Sequence, residues 1–379
     1  MEAIYLDHAA TTPTHPNVVE AMVPVYQKVF GNPSSIHQFG REARRLVDDA
    51  RSRVAEAIGA KPKEIVFTSG GTEADNLAII GTAMANRETG RHIITTAVEH
   101  HAVLNTCRYL EHVGFEVTYL AVDKQGRIDI QDFFSALRDD TILATIMYGN
   151  NEVGTLQPVK AIAAALKDHR AIFHTDAVQA FGVKDVDVNR LGVDLMSMTA
   201  HKINGPKGIG FLYVREGVTL VSHQHGGEQE RKRRAGTLDV PGIVGLQKAV
   251  EIAASERHEK SELYARLRAR LLKILDERKV NYSINGDPEN GLAHIVNLYF
   301  PGTNVETLLT ALDLNGVAVS SGSACTAGSI DPSHVLTAMY GPNAAEAKSS
   351  IRISFGLYNT EDQIEDATNI LADTVLRMV

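Results

Sequence analysis

The chain of 379 residues carries 46 acidic and 38 basic side chains, a net charge of -8, with 44% hydrophobic and 22% charged residues. This composition excludes a disordered, collagen-like or coiled-coil protein, and the length predicts two or three domains. The negative charge argues against direct nucleic-acid binding, two cysteines are too few for a disulfide framework or a four-thiolate metal site, and no apolar run approaches the ~18 residues of a membrane span.

The first residues, Met1 to Asp7, lack the basic start and apolar run of a signal peptide, so a cytoplasmic, reducing setting is expected. From about residue 40 to 215, helical stripes alternate with short β-branched runs. Leu46, Val47, Ala50, Val54, Ala57 and Ile58 form one stripe. Strands are predicted at Ile65–Phe67, Ile93-Ile94, Val117–Leu120, Ile142–Met147, Ala171–Phe173, Leu195–Met198 and Ile209–Val214. This alternation is the mark of an α/β domain with a largely parallel sheet covered on both faces. Residues 242–276 read as one long helix, and a smaller unit follows. Its strands are expected near His294–Tyr299, Ala318–Ser321 and Ile351–Ser354, with a closing helix near Glu361–Met378.

Four segments carry candidate chemistry. Thr68-Ser69-Gly70-Gly71-Thr72-Glu73-Ala74-Asp75-Asn76 follows a strand and opens a helix. It reads either as an anion cradle or as a tight turn with Thr72 as an N-cap. His174-Thr175-Asp176 ends a strand, where Asp176 is placed either to meet a ligand or to cap a helix. Thr199-Ala200-His201-Lys202 follows a buried strand, and a desolvated lysine there is a Schiff-base candidate. A phosphate cradle, an acid for a ring nitrogen and an amine are together the parts a pyridoxal phosphate site needs. Cys325, in Ser320-Ser321-Gly322-Ser323-Ala324-Cys325-Thr326, is expected on a mobile exposed loop as a nucleophile, whereas Cys107 reads as helix-core filler. Glu230-Arg231-Lys232-Arg233-Arg234 reads as solvated surface or, by its closeness to Thr237, as a basic rim that attracts anionic substrate, and His223 and His225 lack the partners of a metal site.

The segments Tyr5–Pro13, Phe30–Ser35, Glu99-His100-His101, Asn150–Gly154, Arg234–Thr237 and above all Ser321–Thr326 resemble the NifS/IscS-type cysteine desulfurases. These belong to the class V branch of fold-type I pyridoxal phosphate enzymes. The resemblance implies a large α/β domain at 13–256 with a mainly parallel seven-stranded sheet. It implies a smaller α+β domain from 1–12 and 257–379, carrying a cysteine loop at about 320–332. The implied activity is that of a sulfurtransferase, L-cysteine to L-alanine with sulfur held as a persulfide on Cys325. Lys202 would carry the coenzyme, Asp176 would pair with its ring nitrogen, and His100 would stack on its ring. Asn151 and Gln179 would meet the phenolic oxygen, and Gly71, Thr72, Thr199 and His201 the phosphate, joined by Thr237 from the neighbouring subunit of a homodimer. Thr199 stands where many relatives have serine, and it can donate the same hydrogen bond. Arg352, assisted by Asn32, would hold the substrate carboxylate, with Asn151 also meeting substrate. The expected acceptor is a tRNA-thiolating enzyme or an iron–sulfur scaffold; the end at Val379, together with the runs Gly70–Asn76 and Gly226–Arg231, looks more like the tRNA-thiolating branch. No metal site is expected. The competing expectation is a selenocysteine lyase or another class V enzyme of the same fold.

Overall fold

The computed structural model describes residues 3–321 and 332–379. The chain opens with β1 (Ile4–Tyr5). The strands β2 (Ile65–Thr68), β3 (His92–Thr96), β4 (Glu116–Leu120), β5 (Thr141–Thr145), β6 (Ile172–Asp176), β7 (Leu195–Thr199) and β8 (Gly210–Val214) follow. They form one seven-stranded sheet in the order β2-β8-β7-β6-β5-β3-β4. Every pairing from β4 across to β7 is parallel, and only β8 runs antiparallel to its neighbours β7 and β2.

Neighbouring strand residues face opposite cores. Ile93 packs with Val103, Cys107 and Leu110, while Ile94 packs with the Val47 and Val54 cluster. Val66 and Phe67, and Leu195 and Met196, divide in the same way. A strand covered on both faces must be apolar at every position, which is why these runs show no polar alternation. On one side lie the helices Gly71–Asn86 and His101–His112; on the other, Pro16–Lys28, Gln38–Ala57 and Val240–Ser255 pack together.

The remaining strands are β9 (Ser283–Asn285), β10 (Ile295–Tyr299), β11 (Val317–Ala318) and β12 (Ser350–Ser354). The antiparallel sheet β12-β10-β9 shares a second core with Ile4 and Leu6 and with the helices Arg257–Glu277, Val305–Leu314 and Glu361–Met378. β11 pairs in parallel with β1.

Two sequence expectations change. The long helix read over 242–276 is two helices, Val240–Ser255 and Arg257–Glu277, broken at Glu256 with φ -96° and ψ 3°. The break lets the first helix bury in the large core and the second in the small one. Nothing local marks it, since neither Gly nor Pro occupies the junction. The strand expected at Ala318–Ser321 is only Val317–Ala318, with a lone bridge from Ser320 to Arg352 beyond it.

Candidate active site

The sheet delivers its functional groups at the ends of β6 and β7, as open α/β sheets do. β6 ends on Asp176, and the turn Ala200–Lys202 follows β7 directly. Lys202, Asp176, Thr199, His201, Gly71, Thr72, His100, Asn151, Gln179 and Arg352 line one cavity of about 330 Å³.

At one end stands the start of the helix Gly71–Asn86. Gly70 is its N-cap, with φ 153°, and no side chain caps it, so its first-turn N–H groups remain available to an anion. Thr72 lies inside the helix and is not its cap. A Cβ on Gly71 would come within 3.3 Å of Val178 Cγ2, so the bare backbone keeps this cradle open. Thr199 and His201 face it from the end of β7, and His201 Nδ1 lies 3.1 Å from Thr11 Oγ1. Burial lowers the His201 imidazole to about 4.

Lys202 is held from beneath. Its Nζ donates to the carbonyls of Ala9 at 2.5 Å and Ala10 at 2.7 Å. Burial, then the Arg352 charge, lowers its amine to about 8, against the opposing pull of Asp7 and Asp176. Asp176 is buried, and Oδ1 accepts from Val178 N at 2.9 Å in a turn, with no helix to cap. Its carboxyl is raised by burial and pulled back by that bond and by Lys202.

His100 caps the helix His101–His112, its Nδ1 accepting from Ala102 N at 3.1 Å. The ring is open to the cavity yet deep in the protein, and that depth, then Lys202, lowers it to about 4. Gln179 Nε2 donates to Ala9 O at 2.9 Å, while its Oε1 lies 3.5 Å from His294 Nε2. Arg352, on β12, donates from Nη1 to Asn151 O at 3.0 Å and from Nη2 to Asp7 Oδ1 at 2.7 Å. Its Nε is buried without a hydrogen-bond partner among the described residues.

Asn32 and Thr237 are exposed and do not line this chain's cavity. Cys325 lies outside the described residues. Cys107 is fully buried, and desolvation pushes its thiol up to about 12. The basic run is not simply solvated: Glu230 is buried against Arg51, and Arg234 pairs with Glu73 at 2.7 Å. Among the described residues, no group of three or more His, Cys, Asp or Glu is placed to hold a metal, and no helix is long and apolar enough to cross a membrane.

Sequence reading missed Asp7, the Ala9 and Ala10 carbonyls, Glu152 and His334. Glu152 is buried, accepts from the Ser333 hydroxyl and has His334 Nδ1 at 3.8 Å. No local pattern marks these, because their partners lie far along the chain. Asp7, Ala9, Ala10 and Glu152 had one signal, standing inside segments that carry the resemblance, Tyr5–Pro13 and Asn150–Gly154; His334 had none.

An uncapped helix start with bare glycines, a desolvated amine, a buried carboxyl and a guanidinium around one cavity fit pyridoxal phosphate together with an amino acid. Residues 4–366 match the Aminotransferase class-V family. The chain is 58% identical to the "Putative cysteine desulfurase IscS 1" of Bacillus subtilis (strain 168), covering 100% of both. It is 48% identical to the "Cysteine desulfurase IscS" of Methanosarcina thermophila, covering 100% of this chain and 93% of the relative. Among solved structures, a "NIFS-LIKE PROTEIN" superposes with a TM-score of 0.93 at 37% identity, each chain covered completely. The structure titled "SspA in complex with cysteine" gives 0.83 at 42% identity, covering 94% of this chain and 99% of the other.

Proposed function

The chain belongs to the aminotransferase class-V family and is a pyridoxal-phosphate-dependent cysteine desulfurase, and from that premise we propose how its residues divide the reaction. The observation that carries the assignment is Lys202, a desolvated amine in one cavity with Asp176 and Arg352. When bound, the coenzyme supplies an aldehyde that condenses with amines and a ring that draws electrons from bonds at the substrate's α-carbon.

Gly71 and Thr72 N–H groups, with Thr199 and His201, hold the phosphate. Asp176 accepts the ring N–H and keeps that nitrogen protonated through opposite charge. His100 covers the ring face. Asn151 and Gln179 donate to the phenolic oxygen, and Gln179 keeps one N–H on Ala9 O while doing so. Arg352 takes the substrate carboxylate as a two-pronged fork, and Asn151 meets the substrate beside it. Asn32 assists from the segment Phe30–Ser35.

Lys202 is the acid–base group. An amine lowered to about 8 is neutral in a useful fraction near neutral pH, so it can accept the α-proton of cysteine and return a proton later. Cys325 attacks the substrate sulfur as thiolate. The sulfur–sulfur bond forms while the Cβ–S bond breaks with its electron pair left on carbon. That carbon takes up a proton and leaves as alanine. Cys107 is unsuited to this work, being sealed in a core with its thiol pushed up to about 12.

The sulfur passes from Cys325 to an acceptor protein serving tRNA thiolation or iron–sulfur assembly, in the cytoplasm. The enzyme works as a homodimer, and the exposure of Thr237 supports its reaching a partner's phosphate. Two separate cores support a division into 13–256 and 1–12 with 257–379.

The test is turnover followed by peptide mass mapping. Wild type should release one alanine per sulfur transferred and carry the persulfide on Cys325. Cys325→Ala should bind coenzyme and cysteine yet form no persulfide. A persulfide found on Cys107 would overturn the assignment.

A further inference from the structure

Behind Asp176 lies a second carboxyl group that the roles above leave unused. Asp75 sits on the helix Gly71–Asn86, is 1% exposed, and lines the same cavity as Asp176. β6 sets His174 two residues before Asp176, on the same strand face, and β7 sets Ser197 directly beside Asp176. All three converge on Asp75. Burial and Asp176 push its carboxyl up while Ser197 draws it down, and His174 Nε2 stands 3.7 Å from its Oδ1. Oδ1 itself has no hydrogen-bond partner among the described residues.

Two ionised carboxyls in one buried site repel each other, and one of them keeps a proton unless a cation intervenes. The groups facing Asp75 supply none. From β6 come Asp176, which is acidic, and His174, which complete burial lowers to about 3 and so holds neutral. The two His174 ring nitrogens meet hydroxyls, Nδ1 at 2.8 Å from Thr145 Oγ1 and Nε2 at 2.9 Å from Ser197 Oγ. From the segment after β3 comes Glu99, a further acid. The Lys202 charge pulls on Asp176, and no cation among the described residues acts in this way on Asp75, so the ionised member of the pair is Asp176. With no donor on Oδ1 among the described residues, an ionised Asp75 has little to offset its desolvation, which favours the neutral acid.

We propose that Asp75 is a positioning residue that stays a neutral acid behind Asp176, so that the two carboxyls together present a single negative charge to the coenzyme's ring nitrogen. One charge then matches one ring cation. An ionised Asp75 would add a second, uncompensated charge under the ring. The proposal rests on the assignment of Asp176 to that nitrogen.

The experiment compares full-length wild type with Asp75→Asn, which replaces a neutral acid by a neutral amide of the same shape. Coenzyme affinity should stay within about threefold and the visible band of the loaded protein should not move. The second readout needs no coenzyme. A carboxyl raised in the folded state costs stability as pH rises, because the unfolded chain releases the proton above about pH 4 and the folded chain must keep it. From pH 5.5 to 8, the folding equilibrium constant of Asp75→Asn over wild type should therefore rise about tenfold per pH unit. A flat ratio, or a variant weaker by a constant factor, would mean an ionised Asp75 and overturn the proposal. Should Asp75→Asn not fold, wild type labelled with carboxyl-13C aspartate should show an isotope-shifted protonated-acid band in the infrared at pH 7.5, and its absence overturns the proposal. Asp176→Asn separates the two readings. If it leaves coenzyme affinity unchanged, the ring-nitrogen assignment fails and takes this proposal with it; a flat pH response at Asp75 alone sinks only the proposal.

Discussion

Arg352 Nη2 donates to Asp7 Oδ1 at 2.7 Å across 345 residues of chain, tying the guanidinium of the site to the N-terminal segment. The same segment supplies the Ala9 and Ala10 carbonyls beneath Lys202. The N-terminus therefore holds both cations of the pocket in place, one through a carboxylate and one through backbone oxygens.

Arg352→Lys keeps the charge and loses the fork. With a charged hydrogen bond contributing roughly 1.5–3 kcal/mol, KM for cysteine should rise about 10- to 100-fold. Coenzyme affinity, measured by absorbance titration, should not change. An unchanged KM would remove Arg352 from carboxylate binding.

Lys202 can capture the coenzyme only as a free amine. The rate of appearance of the visible band on reconstitution should rise with pH and level off above about 8, where an ordinary lysine would keep rising beyond 10. Asp7→Asn removes a group that holds the proton on Lys202, so its plateau should begin at lower pH. A shift to higher pH would contradict the electrostatic picture.

Cys107 fills a core with Ile79, Val103 and Leu110. Cys107→Ala should leave persulfide formation intact while costing about 1 kcal/mol in denaturant unfolding. Loss of sulfur transfer in this variant would show that the wrong thiol has been chosen.

Arg51 and Glu230 form a buried pair, with Nη1 to Oε2 at 2.8 Å and Glu230 Oε2 also accepting from Phe67 N at 2.8 Å. The pair anchors three successive left-handed residues, Glu230, Arg231 and Lys232, with φ of 46°, 54° and 66°. Glu230→Ala strands a buried guanidinium, and stability should fall by about 3–5 kcal/mol. A surface loop residue would cost almost nothing, so a shift in unfolding midpoint close to zero contradicts the burial.

The parallel sheet is legible because its strands are buried on both faces, so that Ile93 and Ile94 are both apolar despite facing opposite cores. Asp176 and Lys202 are legible because each follows such a strand. The grip on Lys202 is not, since it comes from backbone carbonyls that any residue carries. The break at Glu256 is not, since it answers to which core each helix buries in rather than to a local breaker. Asp75 falls between these cases. Its segment is legible as an anion cradle, but a carboxyl on a helix ordinarily reads as a solvated position, and it is the packing of that helix against the sheet that buries it.

The central claim is that Lys202 is the amine that binds the coenzyme in this cavity. Borohydride reduction of the reconstituted protein, followed by peptide mass mapping, tests it most directly. The phosphopyridoxyl group should be found on Lys202 and on no other lysine. Its presence elsewhere, or unmodified Lys202 in a protein that shows the visible band, would contradict the account.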